Sequence, residues 1–179
     1  MFNYKTEPYA HQHEALKRSH DKRNYAYFME MGCGKSKVLI DNIVWLYEQG
    51  RIDTAVIVAP KGVYRNWETS EIPVHFPEDI PHEVYVWNPS PNKSQAERLK
   101  AGLEERGVLR ILLANVEGFA TKKLPAYVDK FIQGRQSLLA VDESTTIKNP
   151  KAKRTKNLVI LGSKATYKRI LTGSPVTKS

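Results

Sequence analysis

The chain has 179 residues, of which 41% are hydrophobic and 26% charged, a balance typical of a globular protein that buries its own core. No apolar run approaches the roughly 18 residues of a membrane span, and the N-terminus lacks a signal-peptide core, so we expect a cytoplasmic or nucleoid-associated protein that is not secreted and contacts no membrane. Lys and Arg outnumber Asp and Glu by 28 to 19, and the net charge of +9 favours a polyanionic partner, most simply nucleic acid.

Apolar residues recur at helical or strand spacing along the whole chain. Helices are predicted at residues 10–20, 35–49, 63–72, 93–106 and 120–133, with a last one around Leu158. Strands are predicted at residues 25–28, 54–59, 83–87, 109–114, 138–142 and 167–171. Pro73, Pro77 and Pro81 predict a loop after the third helix. Strands that alternate with helices predict an α/β fold, a mostly parallel sheet with helices on both faces.

A glycine-containing turn follows the first predicted strand and leads directly into a helix. Gly32 and Gly34 allow consecutive backbone N–H groups to point at an anion, and the helix adds the positive end of its dipole. Lys35 can then reach the outer phosphates of a nucleotide, and the Ser36 hydroxyl can bind Mg²⁺. The match to the full phosphate-loop pattern is partial because Met29 stands where a further glycine is expected. An ordinary strand-to-helix turn with a surface lysine is the alternative.

A second candidate site lies much further along the chain, where the apolar run at residues 138–141 ends in Asp142 and Glu143. Two adjacent carboxylates at the end of a buried strand are costly unless a cation or a reaction uses them. Mg²⁺ held by Asp142 and a water activated by Glu143 would supply that use.

Ligands of a parallel sheet bind outside the carboxyl ends of its strands. Five predicted turns follow such ends: the phosphate loop, Pro60-Lys61, Asn115-Val116-Glu117, Asp142-Glu143 and Thr172-Gly173. We therefore expect these turns to gather at one edge of the sheet.

The order of these motifs resembles the N-terminal RecA-like lobe of a superfamily-two helicase or translocase, and most closely its Swi/Snf-type branch. Met31-Gly32-Cys33-Gly34-Lys35-Ser36 is similar to that branch's Met-Gly-Leu-Gly-Lys-Thr. Ala59-Pro60-Lys61 with Asn66-Trp67 resembles its second motif, and Asn115-Val116-Glu117 resembles its Thr-Tyr-Glu element. Trp67 itself is expected to pack in the core or against another lobe.

The remaining motifs extend the resemblance to nearly the whole chain, from Pro8 to Pro175. Asp142-Glu143 followed by Ile147-Lys148-Asn149 resembles the Walker B segment, and Leu171-Thr172-Gly173-Ser174-Pro175 resembles Leu-Thr-Gly-Thr-Pro. Gln12, preceded by Pro8 and Tyr9, stands where the family has its adenine-reading glutamine.

The resemblance implies a role for each of these residues in an ATP- and Mg²⁺-dependent motor. It implies phosphate or nucleotide binding by Gln12, Met31, Gly32, Cys33, Gly34, Lys35, Ser36 and Lys37. It implies Mg²⁺ binding by Ser36 and Asp142, catalysis by Glu143 and Lys35, and nucleic-acid contact or coupling by Lys61, Asn115, Thr172 and Gly173. The basic run from Lys148 to Lys156 joins the nucleic-acid surface or is a solvated helix face.

Two departures from the family pattern shape the expected activity. Thr145 replaces the usual histidine of the Walker B tetrad, which affects coupling to Thr172 and Gly173. The family's second lobe, with its arginine finger, has no counterpart in these residues, and such a finger contributes a factor of about 10³ to 10⁵ in rate. We expect residues 1–179, as a single N-terminal ATP-binding lobe, to bind ATP weakly and to hydrolyse it little or not at all alone.

Several functions remain open at this stage. The leading one is a DNA helicase or double-strand translocase, with DNA favoured over RNA as partner. A restriction-type or RNA helicase subunit is a second, although the Asp-Glu-Ala-Asp and Ser-Ala-Thr motifs of DEAD-box enzymes are not found. A hydrolysis-deficient nucleic-acid-binding module with a relic nucleotide pocket is a third. A small-molecule P-loop kinase is disfavoured by the charge and by Thr172-Gly173-Ser174-Pro175.

Overall fold

The fold is built on one parallel sheet, in a computed structural model that describes residues 2–29, 34–142 and 149–173. The sheet has six strands in the order β1-β6-β5-β2-β4-β3, and every neighbouring pair is parallel. The strands are β1 (Asn24–Phe28), β2 (Thr54–Ala59), β3 (His82–Val86), β4 (Leu109–Asn115), β5 (Ser137–Asp142) and β6 (Tyr167–Thr172).

Helices connect successive strands, as parallel pairing requires. They are α1 (Ala10–Ser19), α2 (Lys35–Glu48), α3 (Tyr64–Asn66), α4 (Ile72–His75), α5 (Lys93–Gly102), α6 (Lys123–Ile132) and α7 (Lys153–Lys164). A π turn (Trp67–Glu71) joins α3 to α4, and a 3₁₀ helix (Val116–Ala120) follows β4.

Two hydrophobic cores lie on opposite faces of the sheet, because successive side chains of a strand point to opposite sides. Ala55, Ile57 and Ala59 of β2 pack in one core, together with α1, α2 and the α3–α4 segment. Val56 and Val58 pack in the other, with α5, α6 and α7. The predicted α/β fold, a parallel sheet covered on both faces, is confirmed.

Element ends differ from the predictions where local hydrogen bonding departs from the α pattern. The helix predicted at residues 93–106 ends at Gly102, where Leu103 and Glu104 donate to carbonyls three residues back and tighten the last turn. The helix predicted to start at residue 120 starts at Lys123, because the preceding residues form the 3₁₀ helix.

The prediction that Pro73 opens a loop was wrong. Pro73 lies inside α4, and the helical path continues to His75. Proline has no N–H to donate and its ring crowds the preceding turn of an α-helix. A π turn lies directly before α4 and is closed by a bond from the Ile72 N–H to the Trp67 carbonyl. Because the hydrogen bonding before Pro73 is not that of an α-helix, the helical path can include the proline.

Within the described ranges, no helix combines the length and the apolar character that crossing a membrane requires.

Candidate functional site

The carboxyl ends of all six strands lie at one edge of the sheet, because every pair is parallel. The described parts of the five predicted turns follow strand ends at this edge. The central strands β2, β4 and β5 have the most buried side chains, so their ends hold polar groups close to the core. This edge is the place where sequence reasoning puts a ligand site.

The turn into α2 is fixed by Gly34 and Gln12. Gly34 has a left-handed backbone (φ +75°), and its carbonyl accepts the first bond of α2 from Val38. The Gln12 Nε2 donates to the same carbonyl at 3.4 Å, while its Oε1 accepts from the Tyr9 N–H at 2.8 Å. Gln12 is only 7% exposed. The side chain that the resemblance assigns to adenine therefore also braces the end of the turn against α1.

Lys35 and Ser36 begin α2, and both are half-buried at the carboxyl edge. The first N–H groups of a helix have no partner within the helix and carry the positive end of its dipole, so they attract an anion. These residues stand where the sequence predicts the phosphate site.

Lys37 differs from the two residues before it. Its side chain is buried and pairs with Asp41 one turn along α2, with Nζ and Oδ2 2.7 Å apart. Burial raises the pKa of Asp41 to about 6, although Lys37 acts in the opposite direction. The Lys37 ammonium is thus bound to Asp41 inside the domain. Only the backbone N–H of Lys37, in the first turn of α2, is left for the predicted phosphate contact.

Asp142 ends β5 and is 7% exposed. The indole Nε1 of Trp67 donates to its Oδ2 at 3.2 Å, and Trp67 is 1% exposed. Packing of Trp67 in the core is as predicted, but the bond to Asp142 was not predicted. The two residues are 75 positions apart, so no local sequence signal indicates the bond.

Glu71 and His75 form a half-buried pair that is influenced by the charges of Asp142 and Lys37. Burial is the main cause that raises the pKa of Glu71, and the charge of Asp142 raises it further. Glu71 Oε1 lies 3.8 Å from His75 Nε2, and burial and then the charge of Lys37 lower the pKa of His75. The charges of Asp142 and Lys37 therefore both act on the pair formed by Glu71 and His75. Sequence reasoning missed both Glu71 and His75.

Lys61 follows strand β2, and Asn115 ends the neighbouring strand β4. The backbone N–H of Lys61 donates to both carboxylate oxygens of Glu117, at 3.1 and 3.3 Å, and the Lys61 side chain is exposed. Asn115 is half-buried, and its Oδ1 is buried with no hydrogen-bond partner within the described ranges. Of this pair, Lys61 has the exposed side chain.

Thr172 ends β6 beside β1 and β5. It is 3% exposed, and its carbonyl accepts from the Met29 N–H at 3.2 Å. Gly173 follows it and is half-buried. Thr172 pairs in register with Phe28 of β1, and Leu171 pairs with Asp142 of β5. The end of β6 therefore lies between the ends of β1 and β5.

Several predicted site residues lie outside the described ranges: Met31, Gly32, Cys33 and Glu143, together with Thr145 and Lys148. In the basic run near α7, Lys151, Lys153 and Lys156 are exposed and Arg154 is half-buried. Several exposed lysine side chains therefore lie in the segment that follows β5.

The donors at this edge suit a magnesium–nucleotide ligand. A hydroxyl at Ser36 and a carboxylate at Asp142 are the oxygen ligands that Mg²⁺ prefers. No side chain fits at the left-handed Gly34, since a Cβ there would lie 2.0 Å from the Gln12 Nε2.

The parallel sheet, the helices on both faces and this carboxyl edge define a RecA-like α/β domain. The model of the SNF2-related domain family matches residues 11–179, and the chain belongs to that family. No curated protein sequence showed significant similarity to the chain.

Solved structures share the fold at low sequence identity. The Sulfolobus solfataricus SWI2/SNF2 ATPase core in complex with dsDNA superposes with a TM-score of 0.71 at 18% identity, over 97% of this chain and 33% of that one. The ATPase core domain of the same organism gives 0.68 at 20% identity, over 98% and 33%. The UvsW helicase from bacteriophage T4 gives 0.63 at 12% identity, over 94% and 53%. The chain thus spans about a third of the length of the Sulfolobus proteins.

We predict that Gly34→Ala destabilises the chain more than Gly50→Ala. Both glycines have positive φ, where an L side chain costs about 1–2 kcal/mol, but a Cβ at Gly50 meets nothing within 4 Å. At Gly34 the methyl group would also displace Gln12 and break its bonds, which adds about 1 kcal/mol. Urea unfolding of both variants measures the difference.

Gln12→Ala provides the control for this comparison. In the Gln12→Ala background, Gly34→Ala should lower the free energy of unfolding no more than Gly50→Ala does, because the Gln12 amide that the methyl group would displace is absent. Equal destabilisation by the two glycine variants in the wild-type background would contradict the bracing role of Gln12.

Proposed function

We propose that the chain is the ATP-binding lobe of a nucleic-acid-dependent ATPase, a DNA helicase or double-strand translocase that couples ATP hydrolysis to movement along DNA. The observation that carries the proposal is the shared position of the α2 N-terminus and Asp142 at the carboxyl edge of the sheet. A basic helix start beside a carboxylate suits a triphosphate with its metal ion. Membership of the SNF2-related domain family supports the same activity.

Each described residue at this edge has a defined task in the proposal. The backbone N–H groups at the start of α2 and the Lys35 ammonium hold the β- and γ-phosphates. Gln12 faces the adenine end of the site, next to Gly34. Ser36 and Asp142 bind Mg²⁺, which when bound neutralises the phosphate charge.

Hydrolysis requires two further contributions. Glu143 orients or deprotonates the attacking water, by its place directly after Asp142. A second RecA-like lobe supplies the arginine finger, so the chain alone turns ATP over slowly. The Sulfolobus structures, about three times the length of this chain, leave room for such a lobe.

Nucleic acid is the polymer along which the motor is proposed to move. The net charge of +9 and the exposed Lys61, Lys151, Lys153 and Lys156 favour a polyanion. One structure of similar fold was solved with dsDNA, which favours duplex DNA over RNA for this chain too. Backbone contacts of this kind give affinity without base reading.

We predict that Lys35→Ala weakens ATP binding by about 10- to 100-fold, because a charge-assisted hydrogen bond to phosphate contributes about 1.5–3 kcal/mol. Binding of a fluorescent ATP analogue with Mg²⁺ measures the effect. Lys100→Ala is the control, since that lysine is exposed in the last turn of α5, a helix that contacts the edge strand β3, and should leave the affinity unchanged.

The same variant separates the motor from an idle nucleic-acid-binding module. A motor lobe loses nucleotide binding with Lys35→Ala, whereas a module with a relic pocket shows no specific nucleotide affinity to lose. Wild-type affinity for the analogue in Lys35→Ala would contradict the proposed site.

We predict that Lys61→Ala lowers the salt dependence of duplex binding. Each lost phosphate contact reduces the slope of log K against log salt by about 0.9 on duplex DNA. Lys22→Ala is the matched control, because Lys22 is equally exposed but precedes β1 at the opposite edge of the sheet. Fluorescence anisotropy across a salt series measures both slopes. Equal slopes for the two variants would exclude Lys61 from the DNA surface.

A further inference from the structure

We propose that Trp67 is a positioning residue for the magnesium site, whose indole N–H fixes the Asp142 carboxylate in the orientation that the metal requires. The inference rests on the proposed function and extends it to a residue outside the phosphate loop and the Walker B strand. It starts from a bond between two buried groups, with Trp67 Nε1 3.2 Å from Asp142 Oδ2.

The chemistry of the two groups makes this bond directional. An indole N–H can only donate, and an ionised carboxylate can only accept. Hydrogen bonds to charged acceptors are about twice as strong as neutral ones. Since Trp67 is 1% and Asp142 7% exposed, water competes little for either group. The bond at Oδ2 therefore sets the rotation of the carboxylate, and with it the direction in which Oδ1 points.

Trp67 opens the π turn that joins α3 to α4, and Glu71 closes it. Residues four positions apart on a helical turn lie on the same side. The Trp67 side chain reaches Asp142 at the end of β5. π turns inside α-helical segments are frequent at functional sites. The Pro73 that follows makes a regular α-helix unfavourable here.

Glu71 increases the need for a fixed carboxylate. It is half-buried, and its pKa is raised by burial and further by the charge of Asp142, as repulsion between two carboxylates would do. A donor that holds one oxygen of Asp142 opposes the rotation that this repulsion favours. Groups that orient a metal ligand in this way typically change metal affinity by about 10- to 100-fold when they are removed.

Two variants at position 67 test the inference. Trp67→Phe removes the N–H but also some volume, whereas β-(3-benzothienyl)alanine at position 67 replaces only the N–H by sulfur and keeps the shape. The measurement is binding of a fluorescent ATP analogue to the chain as a function of Mg²⁺ concentration, and again in EDTA. Thermal melting of each variant records its stability.

Tyr64→Phe is the matched control. Tyr64 lies one turn before Trp67, is 4% exposed, and donates a buried hydrogen bond to the Trp87 carbonyl at 3.1 Å. It should lower the melting temperature and leave the Mg²⁺ dependence unchanged.

We expect both variants at position 67 to raise the half-saturating Mg²⁺ concentration about tenfold or more, with unchanged binding in EDTA. Wild-type Mg²⁺ dependence with the benzothienyl residue would overturn the inference and leave the proposed function standing. If the wild-type chain bound no nucleotide at all, the proposed function would fail, and the role of Trp67 with it.

Discussion

Parallel pairing of all six strands is the constraint on which the site depends. An antiparallel strand would send its carboxyl end to the opposite edge, and the turn that follows it would leave the site. Because none of the five strand pairs is antiparallel, residues as distant in sequence as Gly34 and Thr172 lie at one edge. The buried apolar strands β2, β4 and β5 hold this order, since each has a core on both of its faces.

The same burial makes the polar groups of the edge expensive, and their contacts show how the fold offsets that cost. Lys37 and Asp41 neutralise each other within α2. Asp142 accepts a hydrogen bond from Trp67, and Glu71 lies beside His75. An isolated buried charge would cost far more than any of these pairs. The edge is therefore organised before a ligand arrives, which lowers the ordering cost of binding.

The fold could be predicted from the sequence because alternating helices and strands with apolar cores admit few arrangements. The turn at Gly34 and the carboxylate at Asp142 could be predicted too, since each is encoded within a few adjacent residues. The bond from Trp67 to Asp142 could not, because it joins residues 75 positions apart. Pro73 gave a wrong prediction of a loop, since proline is compatible with a helix when a π turn precedes it.

Lys37 shows a second limit of sequence reasoning. It follows Lys35 and Ser36 in the phosphate-loop pattern, and one sequence position suffices to turn its side chain away from the edge and toward Asp41. Helical rotation of about 100° per residue decides which of three adjacent polar residues faces a ligand. Pattern alone assigns all three to the same task.

A structure of the chain with Mg²⁺ and a non-hydrolysable ATP analogue tests the account most directly. We predict that the terminal phosphates bind at the N-terminus of α2, beside Lys35, and that the Ser36 hydroxyl and the Asp142 carboxylate bind the metal ion. Phosphates bound at any other place, or a metal ion that Asp142 does not contact, would contradict it.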